Sequence, residues 1–251
     1  MKNILIHGAN GRMGKKVFEA ISSNDNLTAV CGVDAFENLS NPAFPIYADF
    51  SKVDEKVDVI VDFSVPKTLD NILSYAMSNN IPCVLCTTGY TKEDLEKIEK
   101  ASQKIAIFRS ANMSLGVNIL ADLVKKACMA LYSFDIEIIE KHHNQKVDAP
   151  SGTALLLADA IKSQLNEKHY VYGRQGQVGK RDKNEIGIHA VRGGNIVGDH
   201  DVIFAGENET VTLSHQAFDR SVFAFGAVRA CEYISTKTCG LFDMSDLING
   251  K

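Results

Sequence analysis

The chain has 251 residues, of which 45% are hydrophobic and 23% charged, with a net charge of -4 at pH 7. That supplies one large core or two modest ones, and mild acidity with no basic run excludes nucleic acid as the main partner. The absence of any long apolar run excludes a membrane span and a signal peptide, which sets the expectation of a cytoplasmic protein.

The chain opens on an apolar strand, Ile4-Leu5-Ile6-His7, followed by Gly8-Ala9-Asn10-Gly11-Arg12-Met13-Gly14 and by Val17, Phe18 and Ile21 at helical spacing. Strand, glycine turn and helix in that order place backbone N–H groups at a helix N-terminus, where a pyrophosphate binds. The glycines fall at 8, 11 and 14, so the spacing is G-x-x-G-x-x-G. Asn10 replaces the usual second glycine, and asparagine tolerates left-handed backbone better than most residues. A second strand, Leu27 to Val33, ends at Asp34, about 20 residues past the turn, where a carboxylate grips ribose hydroxyls. Ala35 and Phe36 follow, with no adjacent cation for a 2′-phosphate, which favours NADH. Arg12, and less directly Lys15 or Lys16, offers such a cation, so NADPH stays open.

Val57 to Phe63 reads as a buried strand, Thr68 to Ser78 as a helix and Pro82 to Cys86 as a further strand. Thr91 to Gln103 is a helix opening on Thr-x-x-Asp, a capping-box variant. Ile105 to Phe108 is a strand and Leu115 to Leu131 an amphipathic helix. This alternation predicts a parallel, Rossmann-like sheet covered on both faces. Ligands sit at the carboxyl ends of such strands. Ser64 to Pro66, Thr87-Thr88-Gly89 and Ser110-Ala111-Asn112-Met113 fall there and are expected to line the nicotinamide side.

The richest chemistry follows. Phe134, Ile136 and Ile138 alternate with Asp135, Glu137 and Ile139 as in a strand, which runs into His142, His143, Lys146, Asp148 and Pro150. On an extended chain the two histidines point to opposite faces, so one orients while the other reacts. Ser151 is the expected N-cap of a helix through Ala154 to Ile161. Its first turn, Gly152 and Thr153, leaves N–H donors and a partial positive charge of about 0.5 for a carboxylate or phosphate. A histidine exchanges protons near neutrality and a lysine holds an anion. Each residue alone fits an ordinary role, as a cap or a strand-end polar group, but the cluster together reads as an acid-base site for an acidic substrate. His142 and His143 with Glu140 or Asp148 also offer metal ligands. Adjacent strand residues diverge, however, and no familiar zinc spacing appears, so no metal is expected.

Beyond this segment, Ile186 to Val191, Asp201 to Ala205 and Glu209 to His215 are strand-like, while Arg192-Gly193-Gly194 and Gly198-Asp199-His200 read as turns. Arg220 to Ser235 is a closing helix returning to the first domain. The expected architecture is thus α/β: a dinucleotide-binding domain of residues 1–112 plus 219–251, and an α+β substrate-binding and oligomerisation domain of residues 113–218 on a mixed sheet. Arg192 and Lys141 offer positive potential around a dianionic substrate, but each is read first as a solvated surface charge. Six cysteines lie mostly in apolar elements as reduced core residues. Cys83 and Cys86 form a C-x-x-C whose members face opposite ways.

The glycine turn from Gly8 to Gly14, Val61-Asp62-Phe63-Ser64-x-Pro66, Thr87-Thr88-Gly89, the Asn112 loop and the long His142 to Ala154 element together resemble the dihydrodipicolinate reductase family of the lysine and diaminopimelate pathway, from one end of the chain to the other. The resemblance implies NAD(P)H-dependent reduction of 4-hydroxy-tetrahydrodipicolinate to tetrahydrodipicolinate with loss of water. It assigns cofactor contacts to Gly8, Ala9, Asn10, Gly11, Arg12, Met13, Asp34, Cys86, Thr87, Thr88, Ser110, Ala111, Asn112 and Met113. It makes His142 the proton donor and Lys146 the essential lysine, and it gives the substrate carboxylate to His143, Gly152 and Thr153. Family members are commonly homotetramers. Cys86 and Met113 depart from the common glycine and phenylalanine, and the Cys86 side chain is expected to narrow the loop near the nicotinamide. Hydride on one domain and proton on the other imply closure over the substrate. A non-catalytic dinucleotide sensor and a reductase of another small dicarboxylate are the alternatives.

Overall fold

The computed structural model describes residues 1–35 and 43–250. The chain divides into two compact units, residues 1–115 with 221–251, and residues 116–220. The crossings fall a few residues beyond the expected Asn112 and Phe218.

In the first unit, β1 (Lys2–His7), α1 (Arg12–Ser22), β2 (Leu27–Val33), β3 (Ile46–Tyr47), β4 (Val59–Asp62), α2 (Leu69–Asn79), β5 (Cys83–Leu85), α3 (Lys92–Ser102) and β6 (Ala106–Arg109) alternate along the chain. All the strand pairs are parallel, in the order β6-β5-β4-β1-β2-β3. The central strands β4 and β5 bury both faces, which is why Val59 to Val61 and Cys83 to Leu85 are continuous apolar runs rather than alternating ones. On one face Ile4, Ile6, Val59, Val61, Val84 and Phe108 form a core with α1 and with residues from the C-terminal part of the chain. On the other, Leu5, Ile60, Cys83, Leu85 and Ile107 pack against α2 and α3. Cys83 and Cys86 belong to opposite cores, as a two-residue strand period requires. α3 starts with the predicted box, Thr91 Oγ1 accepting from the Asp94 N–H at 3.2 Å and Asp94 Oδ2 from the Thr91 N–H at 2.9 Å.

The second unit takes most of α4 (Leu115–Ala130), then β7 (Asp135–His142), α5 (Gly152–Lys162), β8 (His169–Tyr172), β9 (Glu185–Arg192), β10 (Gly198–Ala205) and β11 (Thr210–Ala217). Its sheet runs β11-β10-β7-β9-β8 and is mixed: β7 and β8 each pair with β9 in parallel, while β10 is antiparallel to both β7 and β11. Ile136, Ile138, Ile186, Ile188, Val202 and Phe204 point to the face covered by α4 and α5.

Gly198-Asp199-His200 is not the expected turn but the start of β10. Pairing with Ala217 to His215 on one side, and of Asp199 and His200 with Lys141 and Glu140 on the other, overrides glycine's poor strand propensity. The chain then returns to the first unit as α6 (Ser221–Ile234), adds β12 (Gly240–Phe242) beside β6, and ends in α7 (Met244–Asn249). A Cβ at Gly226 would lie 1.6 Å from the Met113 carbonyl oxygen, so α6 approaches that backbone more closely than any other residue permits. The short strands β3, β8 and β12 and the helix α7 carry too few residues to show a period, and the sequence reading missed them.

Candidate active site

The glycine turn of the first unit has the geometry of an anion cradle. Gly8 has φ +79°, and a Cβ there would meet the Phe63 carbonyl oxygen at 2.7 Å; one at Gly14 would fall 2.2 Å from the Gly8 carbonyl oxygen. Gly11 caps α1 with extended backbone and no side-chain bond, which leaves the first-turn N–H groups open to a ligand. Ala9 is buried, Asn10 and Met13 are half-buried, and Arg12 is exposed. Asn10 does not adopt left-handed backbone, the expected reason for its presence. Instead its N–H donates to Asp34 Oδ2 at 3.0 Å, tying the turn to the acid at the end of β2. Phe36 lies outside the described residues. Past Ala35 opens a cavity of about 560 Å³ whose lining includes His7, Phe50, Thr68 and Tyr75.

Beneath these loops lies the Asp62 carboxylate, 1% exposed. It accepts from His7 Nδ1 at 2.8 Å, the Ser64 N–H at 3.1 Å and the Tyr90 hydroxyl at 3.3 Å, so it joins three of the strand-end loops. Burial pushes its carboxyl up, but the His7 ring and the Ser64 hydroxyl outweigh burial and hold it below the ordinary range. Thr87 is buried and Thr88 exposed. In the next loop the Ser110 hydroxyl donates to the Asn112 carbonyl at 2.9 Å and Asn112 Oδ1 accepts from the Ser114 N–H at 2.9 Å, with Ala111 exposed at the tip. Cys86 does not narrow this region: its side chain is in the core with Val84, Phe108 and Met113, and burial raises its thiol well above the ordinary value. Met113 is likewise a core residue, 4% exposed.

In the second unit the cluster forms where β7 ends and α5 begins. Ser151 caps α5 as expected, its Oγ accepting from the Ala154 N–H at 3.1 Å. A Cβ at Gly152 would meet nothing within 4 Å, so the helix terminus faces open space. Thr153, half-buried, follows in the first turn. His142 is buried, and Nδ1 lies 2.6 Å from Glu140 Oε2. His143 is half-buried on the other side of the chain, where Arg220 Nη2 approaches its Nε2 at 3.3 Å. A guanidinium only donates, so that nitrogen accepts. Burial, Arg220 and the charges of His142 and Lys146 hold His143 below its ordinary range, leaving it neutral at pH 7. Lys146 Nζ pairs with Asp148 Oδ1 at 2.9 Å.

Five residues here have roles that the sequence reading missed or misread. Glu140 is fully buried on the apolar face of β7, and continuing the Ile136-Ile138 period to position 140 would have found it. Arg192 is no solvated charge: it grips both Glu140 oxygens, at 2.7 and 2.8 Å, and donates to the Asp148 carbonyl at 2.6 Å. Lys141 is paired too, with Asp201 at 3.0 Å. His200 packs its ring edge-on to His142 with centroids 5.2 Å apart, and its Nε2 lies 2.9 Å from Ser151 Oγ. Desolvation first, and then the neighbouring His142, lower its pKa to about 4. Arg220 was read only as a helix start. The arrangement brings proton-exchanging nitrogens and several cations to an open helix N-terminus, which suits an anionic substrate that must gain a proton. Among the described residues no group of three His, Cys, Asp or Glu could hold a metal ion, and no helix is long and apolar enough to cross a membrane.

Both halves match known proteins. Residues 2–113 fit the family described as dihydrodipicolinate reductase, N-terminus, and residues 116–248 fit dihydrodipicolinate reductase, C-terminus. The chain is 49% identical to the 4-hydroxy-tetrahydrodipicolinate reductase of Clostridium novyi (strain NT), with 100% of both chains covered. It is 51% identical to that of Caldanaerobacter subterraneus subsp. tengcongensis, covering 99% of this chain and 98% of the relative. The dipicolinate-bound dihydrodipicolinate reductase of Paenisporosarcina sp. TG-14 superposes with a TM-score of 0.82 at 25% identity, over 97% of each chain. With both units matched and half of all residues shared with full-length relatives, the chain belongs to the dihydrodipicolinate reductase family.

Proposed function

We propose that this chain catalyses the NAD(P)H-dependent reduction of 4-hydroxy-tetrahydrodipicolinate to tetrahydrodipicolinate with release of water, the activity its relatives are named for. The observation that carries it is the open N-terminus of α5 at Gly152, joined through Ser151 and Glu140 to a proton-exchanging His142.

The turn Gly8 to Met13, Asp34, and the loops at Cys86 to Thr88 and Ser110 to Met113 would hold the dinucleotide, which would supply hydride. Everything else falls to side chains of the second unit. The substrate is a ring dicarboxylate that carries a conjugated imine once water has left. The Gly152 and Thr153 N–H groups, the Thr153 hydroxyl and neutral His143 hold one carboxylate at the positive end of α5. His142 delivers a proton from Nε2 to the end of the conjugated system where charge accumulates. Lys146 adds positive charge beside that position, consistent with its effect on both His143 and His200.

NADH is the favoured cofactor, because the Asp34 carboxylate suits ribose hydroxyls and repels a 2′-phosphate. The chain acts in the cytoplasm as a homotetramer. Within the second unit both helices cover one sheet face, and the other, carrying Ile139, Val191 and Ile203, is left for self-association.

The test is oxidation of NADH and of NADPH by the purified chain with freshly generated substrate, beside His142→Gln and Lys146→Ala. Turnover by the parent, falling by about 10²-fold or more in both variants with NADH binding intact, is the expected result. NADH binding without turnover in the parent would instead indicate a dinucleotide sensor or another dicarboxylate.

A further inference from the structure

Glu140 places a carboxylate on the helix-covered face of β7, in the row of Ile136 and Ile138, and is 0% exposed. A buried charge persists only where its oxygens are fully paired, and here four donors converge on two oxygens. Oε2 receives His142 Nδ1 at 2.6 Å and Arg192 Nη1 at 2.7 Å; Oε1 receives the Ser151 N–H at 3.0 Å and Arg192 Nη2 at 2.8 Å. Burial pushes this carboxyl up, but the bonds from Arg192 and His142 outweigh burial and hold it below the ordinary range, so it is ionised at neutral pH.

An ionised carboxylate has no proton to give. The hydrogen between Glu140 and His142 therefore belongs to Nδ1, and Nε2 is left as the nitrogen that exchanges protons. The same carboxylate holds the peptide N–H immediately before Gly152 and Thr153. Through Arg192 and its bond to the Asp148 carbonyl it also fixes the loop that carries Lys146.

We propose that Glu140, clamped by Arg192, is the positioning residue of this site. It sets the tautomer of His142 and joins the proton donor to the helix terminus that receives the substrate carboxylate, so that the two keep one spacing. The role rests on the reduction proposed above.

Side-chain ¹⁵N NMR of His142, read beside steady-state kinetics, separates positioning from mere stabilisation. The parent is expected to show protonated Nδ1 and bare Nε2 in its neutral form. Glu140→Gln, whose amide both donates and accepts, is expected to show mixed tautomers and a kcat lower by about 10²-fold or more, with unchanged NADH affinity. Arg192→Lys, which keeps a cation but loses the fork, is expected to retain the tautomer while raising substrate KM about tenfold or more, as Ser151 and Asp148 loosen. An unchanged tautomer in Glu140→Gln would overturn the proposal even if kcat fell, as would unchanged KM and kcat in Arg192→Lys. A parent without turnover would sink the reduction itself but leave the tautomer result standing.

Discussion

Glu137 and Gly187 are register partners across the parallel pair of β7 and β9, and the Glu137 carboxylate fills the space where any side chain at 187 would begin: a Cβ there falls 1.8 Å from Oε2. Arg174 binds both oxygens at 3.0 Å, Arg181 Nε reaches Oε1 at 3.0 Å and His189 Nε2 lies 2.7 Å from Oε2. The segment between β8 and β9 is thus pinned near both ends to a central strand. Gly187→Ala is expected to expel the carboxylate and cost about 1–3 kcal/mol, seen as a lower urea midpoint at unchanged slope. Arg174→Ala should then add little in the Gly187→Ala background, because the pair shares one broken contact.

Acid should destabilise the chain in two stages. His200 has a folded pKa of about 4 against an ordinary 6.5, so the unfolded chain binds the extra proton and stability falls between those values, by up to about 3 kcal/mol. Glu137 is held at about 2 against 4.5, mainly because Arg174, His189 and Arg181 outweigh its burial, and the stability it contributes is lost as pH falls from 4.5 to 2. His200→Gln is expected to flatten the first stage only, in midpoints measured from pH 7 to pH 3. An unaltered slope between pH 6.5 and 4 would show that another group titrates there.

On the role proposed for His142, Gly198 keeps the proton-donating nitrogen clear. A Cβ at 198 would stand 3.1 Å from His142 Nε2 and 3.8 Å from His200 Cε1. Gly198→Ala should therefore lower kcat about tenfold or more while changing stability by less than about 1 kcal/mol, since a displacement of a few tenths of an ångström at the donor misplaces the proton. Full activity in this variant would place the exchanging nitrogen elsewhere.

Asp34 is expected to discriminate between the two dinucleotides. Asp34→Ala should weaken NADH binding about tenfold, the usual worth of a charged hydrogen bond, and NADPH binding less or not at all. Isothermal titration of both cofactors reads this directly, and equal losses would mean that the carboxylate only braces the turn through Asn10.

The sequence displayed what is local. The Gly8 turn, the Thr91 box and the Ser151 cap are each specified within a few residues; the box and the cap form as read, and the turn does so except at Asn10. What it hid depends on pairing between distant strands. Arg192 looks like an ordinary surface cation until β9 lies beside β7 and sets it opposite His142, next to Glu140. His200 was obscured by Gly198, whose turn propensity is local while its two strand partners are not. Cys86 and Met113 were judged by position in a motif: the strand alternation already read for Cys83 and Cys86 was not carried to its consequence for the loop, and Met113 turns into the core from a loop that has no period to read.

The β-α alternation that begins at Lys2 is completed only by α6 and β12. Until Ala224, Ala227, Val228 and Cys231 emerge during synthesis, the sheet face of Ile4, Ile6, Val61 and Phe108 has α1 but not α6 as cover, whereas residues 116–220 are contiguous and hold their own core. The half made first therefore finishes last. A ribosome stalled just before Ser221 would carry a closed second unit and a first unit whose parallel sheet is only partly covered and at risk of aggregation.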